Sequence, residues 1–238
     1  MNLKALFKLI FCFAFIITVE IQADFVIKQL PTNEKIVALT FDDGPRPVLT
    51  EMINTVLKEH DVKASFFFIG SQVELYPKEA KDIYLSGHTI GNHSYAHVHF
   101  EYESEEFIKE DVAKSQLIFY EKIGVLPSLF RSPYGRFEPV ETYKQHFLHM
   151  IHWNIDTRDW DALQSEEEII KNVLSNLKPG SIILLHETDK TLKLLPILIS
   201  KIKTEGYELV SLDEAFKRNS LRNRKPVKFW SKFQKVNF

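Results

Sequence analysis

The sequence predicts an α/β fold, a single barrel-like domain of alternating strands and helices, and three observations carry that prediction. Short apolar runs rich in β-branched and aromatic residues recur along the chain, amphipathic helical patterns separate them, and no internal linker or low-complexity stretch divides the 238 residues. The run Ile36-Val37-Ala38-Leu39 stops at Thr40-Phe41-Asp42-Asp43-Gly44-Pro45, so a buried strand leaves its sheet at adjacent carboxylates and a turn. The carboxyl ends of strands are where α/β sheets and barrels carry their chemistry.

After that strand, Leu49, Met52, Ile53, Val56 and Leu57 recur at three- and four-residue spacing and predict a helix with one face on a sheet. Ala64 to Ile69 is the next strand, ended by Gly70. A helix with Pro77 near its start and Gly87 at its end is apolar at Ala80, Ile83 and Tyr84 and leads into His88-Thr89-Ile90-Gly91. Ile108, Val112, Phe119 and Ile123 share one side of a helix closed by Gly124, and Ser128-Leu129-Phe130 is a short extended segment. A strand is expected from His149 to Asn154. Ser165 with Glu168 forms a capping box ahead of Ile169, Ile170 and Val173, and Pro179-Gly180 stops that helix before the strand Ser181 to Leu185. A last helix from Leu192 to Ile202 leads through Gly206 to Tyr207-Glu208-Leu209-Val210. These are about seven strand-helix units, and closure of the sheet is a tertiary matter.

With 45% hydrophobic and 26% charged residues, the composition is that of a soluble globular protein rather than a disordered one. Residues 1–23 read as a secretory signal peptide: Lys4 and Lys8 precede an apolar core from Leu9 to Val19, and the small residue Ala23 follows. That core is about half the roughly 20 residues a spanning helix needs, so export, to the periplasm or beyond, is expected rather than a retained anchor. The only cysteine, Cys12, lies inside it. The exported protein therefore has no thiol for a disulfide or for catalysis, and any metal must be held by His, Asp or Glu. A net charge of −2 conceals an asymmetry: residues 217–238 carry about eight Lys and Arg and no acid, leaving about −10 on the rest.

The chemistry-bearing residues follow strand ends. His93-Ser94-Tyr95-Ala96-His97 sets imidazoles four apart, which on one helical turn point the same way. With Asp43 they make two histidines and a carboxylate, a set suited to a divalent ion with an open position. His99 is expected to turn away. Arg131, in Phe130-Arg131-Ser132-Pro133-Tyr134-Gly135, is suited to a bidentate contact with a carboxylate, and the Pro-Tyr-Gly turn to offering a backbone N–H to an oxyanion. Trp153 to Trp160 is dense in acids and indoles, and indoles at a pocket mouth are platforms for sugar rings. His186 ends an apolar strand, where a neighbouring carboxylate would favour its imidazolium and make it a proton donor.

Taken in order, Thr40 to Pro45, His93 to His97, Arg131 to Gly135, Asp156 to Trp160 and Leu184 to His186 resemble the five motifs of the polysaccharide deacetylase family, the NodB homology domain of carbohydrate esterase family 4. The resemblance covers about Lys35 to Phe216 and makes residues 24–216 the catalytic domain. It implies a distorted (β/α) barrel, usually of seven strands, and one divalent metal, most often zinc; the ligand types also accept cobalt or nickel. By resemblance Asp43, His93 and His97 are the metal ligands, Asp42 the general base for the attacking water, and His186 the general acid for the leaving nitrogen. Asp159 orients that acid, Arg131 fixes Asp42, the backbone N–H of Tyr134 meets the oxyanion, and Trp160 and Leu184 wall the acetyl group. Asn154 stands where many members have Asp, Thr157 where many have Ser, and Glu187 where Asp often follows the histidine.

The implied activity is N-deacetylation of an amino-sugar polysaccharide or oligosaccharide, peptidoglycan or chitin-like. The alternatives are O-acetyl esterase action on a glycan such as acetylxylan and a catalytically silent glycan-binding role. Nucleic acid is not an expected partner. Beyond Phe216 the residues speak alone: a helix started by Pro226 sets Phe229 or Trp230, Phe233 and Val236 on one face and Lys228, Lys232 and Lys235 on another, suited to an anionic membrane or wall polymer.

Overall fold

The computed structural model describes residues 25–137, 140–144, 146–147 and 149–218. The predicted signal peptide and the helix proposed for the basic tail lie outside these residues, while Lys217 and Arg218 complete the last helix. The strands are β1 (Val26–Ile27), β2 (Ile36–Asp42), β3 (Ser65–Phe68), β4 (Thr89–Asn92), β5 (Leu129–Phe130), β6 (His149–Ile151), β7 (Ile155–Asp156), β8 (Ile182–His186) and β9 (Glu208–Leu209). They lie in the order β1-β6-β5-β4-β3-β2-β8-β7, with β9 against the start of β2. Every ladder is parallel, as helical crossovers between successive strands require.

The fold is the expected α/β one, with two changes to the seven strands. Val26–Ile27 adds an edge strand on β6, and the strand expected from His149 to Asn154 is two. The N–H groups of Met150 and His152 donate to Phe25 and Ile27, but Asn154 N–H donates to Ile182 at the other end of the sheet, and Asn154 Oδ1 accepts from Ile182 N–H at 2.7 Å. Residues 152–154 thus carry the chain across the gap of a curled sheet. No ladder joins β7 to β1 or β6 among the described residues.

All seven residues of β2 are buried, as in a strand covered on both faces. Val37, Leu39 and Phe41 join Ile53 and Leu57 of α1 (Leu49–Glu59) in the larger core cluster, while Ile36 and Ala38 face the barrel interior with Phe67, Ile182 and Phe216. The two-residue strand period therefore turns Thr40 and Asp42 inward, at the carboxyl end. At the amino end α8 (Leu212–Arg218) acts as a plug: Leu212, Ala215 and Phe216 enter the interior cluster, and the N–H groups of Leu212 and Asp213 donate to the hydroxyls of Ser65 and Thr89.

The outer helices follow the local signals. Between α1 and α8 they are α2 (Gly70–Leu75), α3 (Pro77–Leu85), α4 (Glu105–Ile123), α5 (Val140–Lys144), α6 (Glu166–Asn176) and α7 (Asp189–Thr204). Gly124 caps α4 with φ 77°, and Ser165 and Glu168 make the reciprocal capping box of α6. The helix α2 was not expected. Gly70 begins it because α4 passes too close for a side chain: a Cβ there would lie 2.6 Å from Ser115 Oγ.

Candidate active site

Asp43 leaves β2 with φ 72°, and its Oδ1 lies 3.5 Å from His93 Nε2 and 3.1 Å from His97 Nε2. The expected helical turn is absent. The two histidines sit in the loop after β4, with Ser94 at φ 67° and His97 at φ 53°, and that loop brings the rings together instead. Left-handed backbone at such residues costs about 1–3 kcal/mol each and persists where surrounding bonds over-determine it. Here Asp111, on α4, accepts from the N–H groups of Tyr95 and Ala96 at 2.7 and 2.8 Å, and Asn92 Oδ1 accepts from Ser94 N–H and the Ser115 hydroxyl.

The donor set fits a divalent cation. His93 Nδ1 lies 2.7 Å from the Arg131 carbonyl, which can only accept, so Nδ1 carries the proton and the Nε2 lone pair faces Asp43. Asp43 Oδ1 is buried with no hydrogen-bond donor, and the three ligand atoms lie within 4.8 Å of one another. A buried carboxylate oxygen facing imidazole nitrogens is costly until a cation fills the space between them.

Asp42, inward on β2, has one oxygen committed and one free. Arg131 Nη1 donates to its Oδ1 at 2.7 Å and to Thr40 Oγ1 at 2.9 Å, while Nε and Nη2 donate to the Ile151 and His152 carbonyls. The contact with Asp42 is thus single rather than bidentate, because the rest of the guanidinium closes the sheet gap. Arg131 is 1% exposed and packs on the Phe67 ring. Asp42 Oδ2 remains, 3.7 Å from His93 Nε2.

His186 ends β8 beside Asp42: the two are direct partners in the β2–β8 ladder. Its Nδ1 lies 2.8 Å from Asp159 Oδ1, and Asp159 Oδ2 accepts from His186 N–H and from the Thr191 hydroxyl. Burial depresses the imidazolium, but Asp159, with Asp42 and Asp43 further off, outweighs it and pushes His186 up to about 9 from 6.5. Asp159 in turn is held below its ordinary value, burial being outweighed by His186 and Thr191. Because the raised pKa belongs to the folded state, the pair's stabilisation is complete below 6.5 and is lost as pH rises through about 9. In Asp159→Asn the His186 ring resonance is expected to titrate well below 9; titration still near 9 would show that Asp159 is not the cause.

These groups open on one cleft of about 620 Å³ at the carboxyl ends of the strands. Asp42, Asp43, His93, His97 and His186 line it, as do Tyr134, Trp160 and Leu184; Arg131 and Asp159 stand behind it. Tyr134 has φ 56°, and its N–H has no protein acceptor among the described residues. Trp160 is 58% exposed at the rim, whereas Leu184 is buried. His99 stays out of the metal cluster, as expected, but stacks on the Tyr134 ring, which leans against His97. Sequence reading missed Asp111 and Thr191, and noted Glu187 only as a departure from the family pattern. Asp111 carried a signal, an acid on the apolar face of α4 between Ile108 and Val112. Glu187 is wholly buried, where burial pushes its carboxyl up to about 7, and its Oε2 accepts from Arg46 N–H at 3.2 Å and from the Thr50 hydroxyl. It ties the turn after His186 to the loop after Asp43.

The model of the family described as polysaccharide deacetylase matches residues 29–150. Over 202 residues the chain is 37% identical to a peptidoglycan-N-acetylglucosamine deacetylase of Bacillus cereus, covering 81% of this chain and 72% of that one. The chain belongs to the polysaccharide deacetylase family. Among other relatives, the peptidoglycan-N-acetylglucosamine deacetylase PgdA of Listeria monocytogenes is 34% identical over 191 residues, 80% of this chain and 40% of that longer one. The crystal structure of the Bc1960 peptidoglycan N-acetylglucosamine deacetylase superposes with a TM-score of 0.77 at 35% identity, covering 81% of this chain and 93% of that chain. As a polysaccharide deacetylase the chain is a hydrolase of a metal-dependent family, and the Asp43, His93 and His97 cluster is its candidate metal site.

Proposed function

We propose that this polysaccharide deacetylase is an exported, metal-dependent amidase that removes N-acetyl groups from an amino-sugar glycan of the peptidoglycan type. The observation that carries this reading is the β2–β8 register, in which the Asp42 carboxylate and the His186 imidazole held by Asp159 stand side by side on one cleft with the Asp43, His93 and His97 cluster. Those three residues would hold a divalent ion, zinc foremost, with cobalt or nickel also suited to the set. Such an ion supplies Lewis acidity, lowering a water's pKa towards 7 and polarising the acetyl carbonyl.

The chain's own groups do the rest. Asp42 Oδ2, left free because Arg131 holds Oδ1, accepts the proton of the attacking water. The Tyr134 N–H donates to the oxygen on which charge develops. His186 Nε2, charged because Asp159 holds Nδ1, protonates the departing sugar nitrogen. Trp160 and Leu184 supply the apolar walls beside the acetyl methyl. A firmly held acid is what an amide needs, since an amine leaves badly without a proton, and this favours amide over ester as the substrate bond. A silent glycan-binding role fits less well, because base, ligand set and acid all stand in one cleft. Export is supported by the signal-peptide pattern of residues 1–23, and the peptidoglycan preference by the named relatives.

The test is acetate release by residues 24–238 from peptidoglycan, chitooligosaccharides and acetylxylan, with added zinc and with chelator. Chelator-sensitive release from an amino sugar is expected, and release from acetylxylan alone would overturn the amidase reading. His97→Ala is expected to lose both bound zinc and turnover, and full activity in that variant removes the histidine from the site.

A further inference from the structure

The cleft has one basic side chain that the proposed reaction leaves unused. Arg46 lines it, the only lysine or arginine to do so among the described residues. Besides the His186 imidazolium, the charged residues that share the cleft with it are acids, Asp42, Asp43 and Asp156. Three other guanidiniums near the site are committed. Arg131 is buried on Asp42, Arg136 lies 3.0 Å from Glu101, and Arg158 lies 2.7 Å from Asp161. The Arg46 side chain is exposed and forms no ion pair among the described residues.

Its backbone is anchored. The Arg46 N–H donates to Thr50 Oγ1 at 2.7 Å and to Glu187 Oε2 at 3.2 Å, both acceptors belonging to buried side chains. The Cα is therefore fixed three residues beyond Asp43, on the cleft that Arg46 lines. An unpaired guanidinium in that position offers a planar fork of N–H donors that matches a carboxylate through two parallel hydrogen bonds. Ordering so flexible a side chain is unfavourable unless an anion meets it.

We infer that Arg46 receives a carboxylate carried by the substrate's own glycan chain, an ether-linked acid on a sugar of the strand in the cleft. It is then a specificity-determining residue that favours acid-bearing amino-sugar strands over neutral ones. This rests on the reading of the cleft as a deacetylase site and deepens it.

The experiment uses a peptide-free glycan fragment whose alternate sugars carry lactyl carboxylates and the same fragment with those acids converted to neutral methylamides. For the wild-type zinc protein, kcat/KM is expected to be about tenfold higher on the acid form, the size of a charge-assisted contact at a partly exposed site. The preference should shrink as ionic strength rises. In Arg46→Ala the ratio is expected to fall to about one, with Arg46→Lys between. An unchanged ratio in Arg46→Ala overturns the proposal. Binding of both fragments to the Asp42→Asn protein, with and without Arg46→Ala, reads the same contact without turnover. Acid selectivity in binding with no acetate released by the wild type would leave the Arg46 contact standing and remove the deacetylase reading. Acetate release with no effect of Arg46→Ala does the reverse.

Discussion

Asp42→Asn is expected to lower acetate release by about 10²- to 10⁴-fold, the range for loss of a positioned general base, while zinc is still bound. Arg131 makes this substitution informative. Its Nη1 demands an acceptor at the Oδ1 position, 2.7 Å away, so the new amide must set its oxygen there and its NH₂ where Oδ2 faced the cleft. A proton acceptor becomes a proton donor with almost no change of shape. The Asp43, His93 and His97 set is untouched, so zinc binding, followed by chelator competition, should stay near the wild-type value. Activity within tenfold of wild type would exclude Asp42 as the base.

The second large effect is on stability. Arg131→Met should destabilise the fold by about 3–5 kcal/mol, the cost of removing one partner of a buried ion pair. The guanidinium serves four acceptors at once: Asp42 Oδ1, Thr40 Oγ1 and the carbonyls of Ile151 and His152. Without it a buried carboxylate loses its counter-charge and two carbonyls lose their donors where β6 ends and the chain crosses the gap. Lysine should not restore the loss, because one ammonium cannot reach acceptors spread around a planar fork. Urea unfolding is the measurement, and a change below about 1 kcal/mol would mean that water replaces the guanidinium at little cost.

Much of this protein is decided by short-range physics that a sequence displays. The even residues of β2 face the interior, so Asp42 had to arrive inward at a strand end once Ile36 to Leu39 were read as a buried strand. Ser165 with Glu168 and Gly124 act within a few residues, and their helices begin and end where those residues stand. Strand ends are visible as the places where apolar runs stop, so Asp42, Asp43 and His186 could be placed at one end of the sheet, whereas the roles expected of the ten site residues rest on the resemblance of five ordered motifs.

What only the tertiary structure decided involves partners far apart in the chain. His93 and His97 converge through a strained loop, not a helical turn, because Asp111, 16 residues beyond Tyr95, takes the loop's N–H groups. Arg131 meets Asp42 across 89 residues, and its remaining donors answer carbonyls exposed because the curled sheet does not close. Glu187 and Arg46 form their link across 141 residues. Periodicity reports which face of an element is buried; which buried donor lacks an acceptor, and which charge is left unpaired in the cleft, depends on the approach of distant segments.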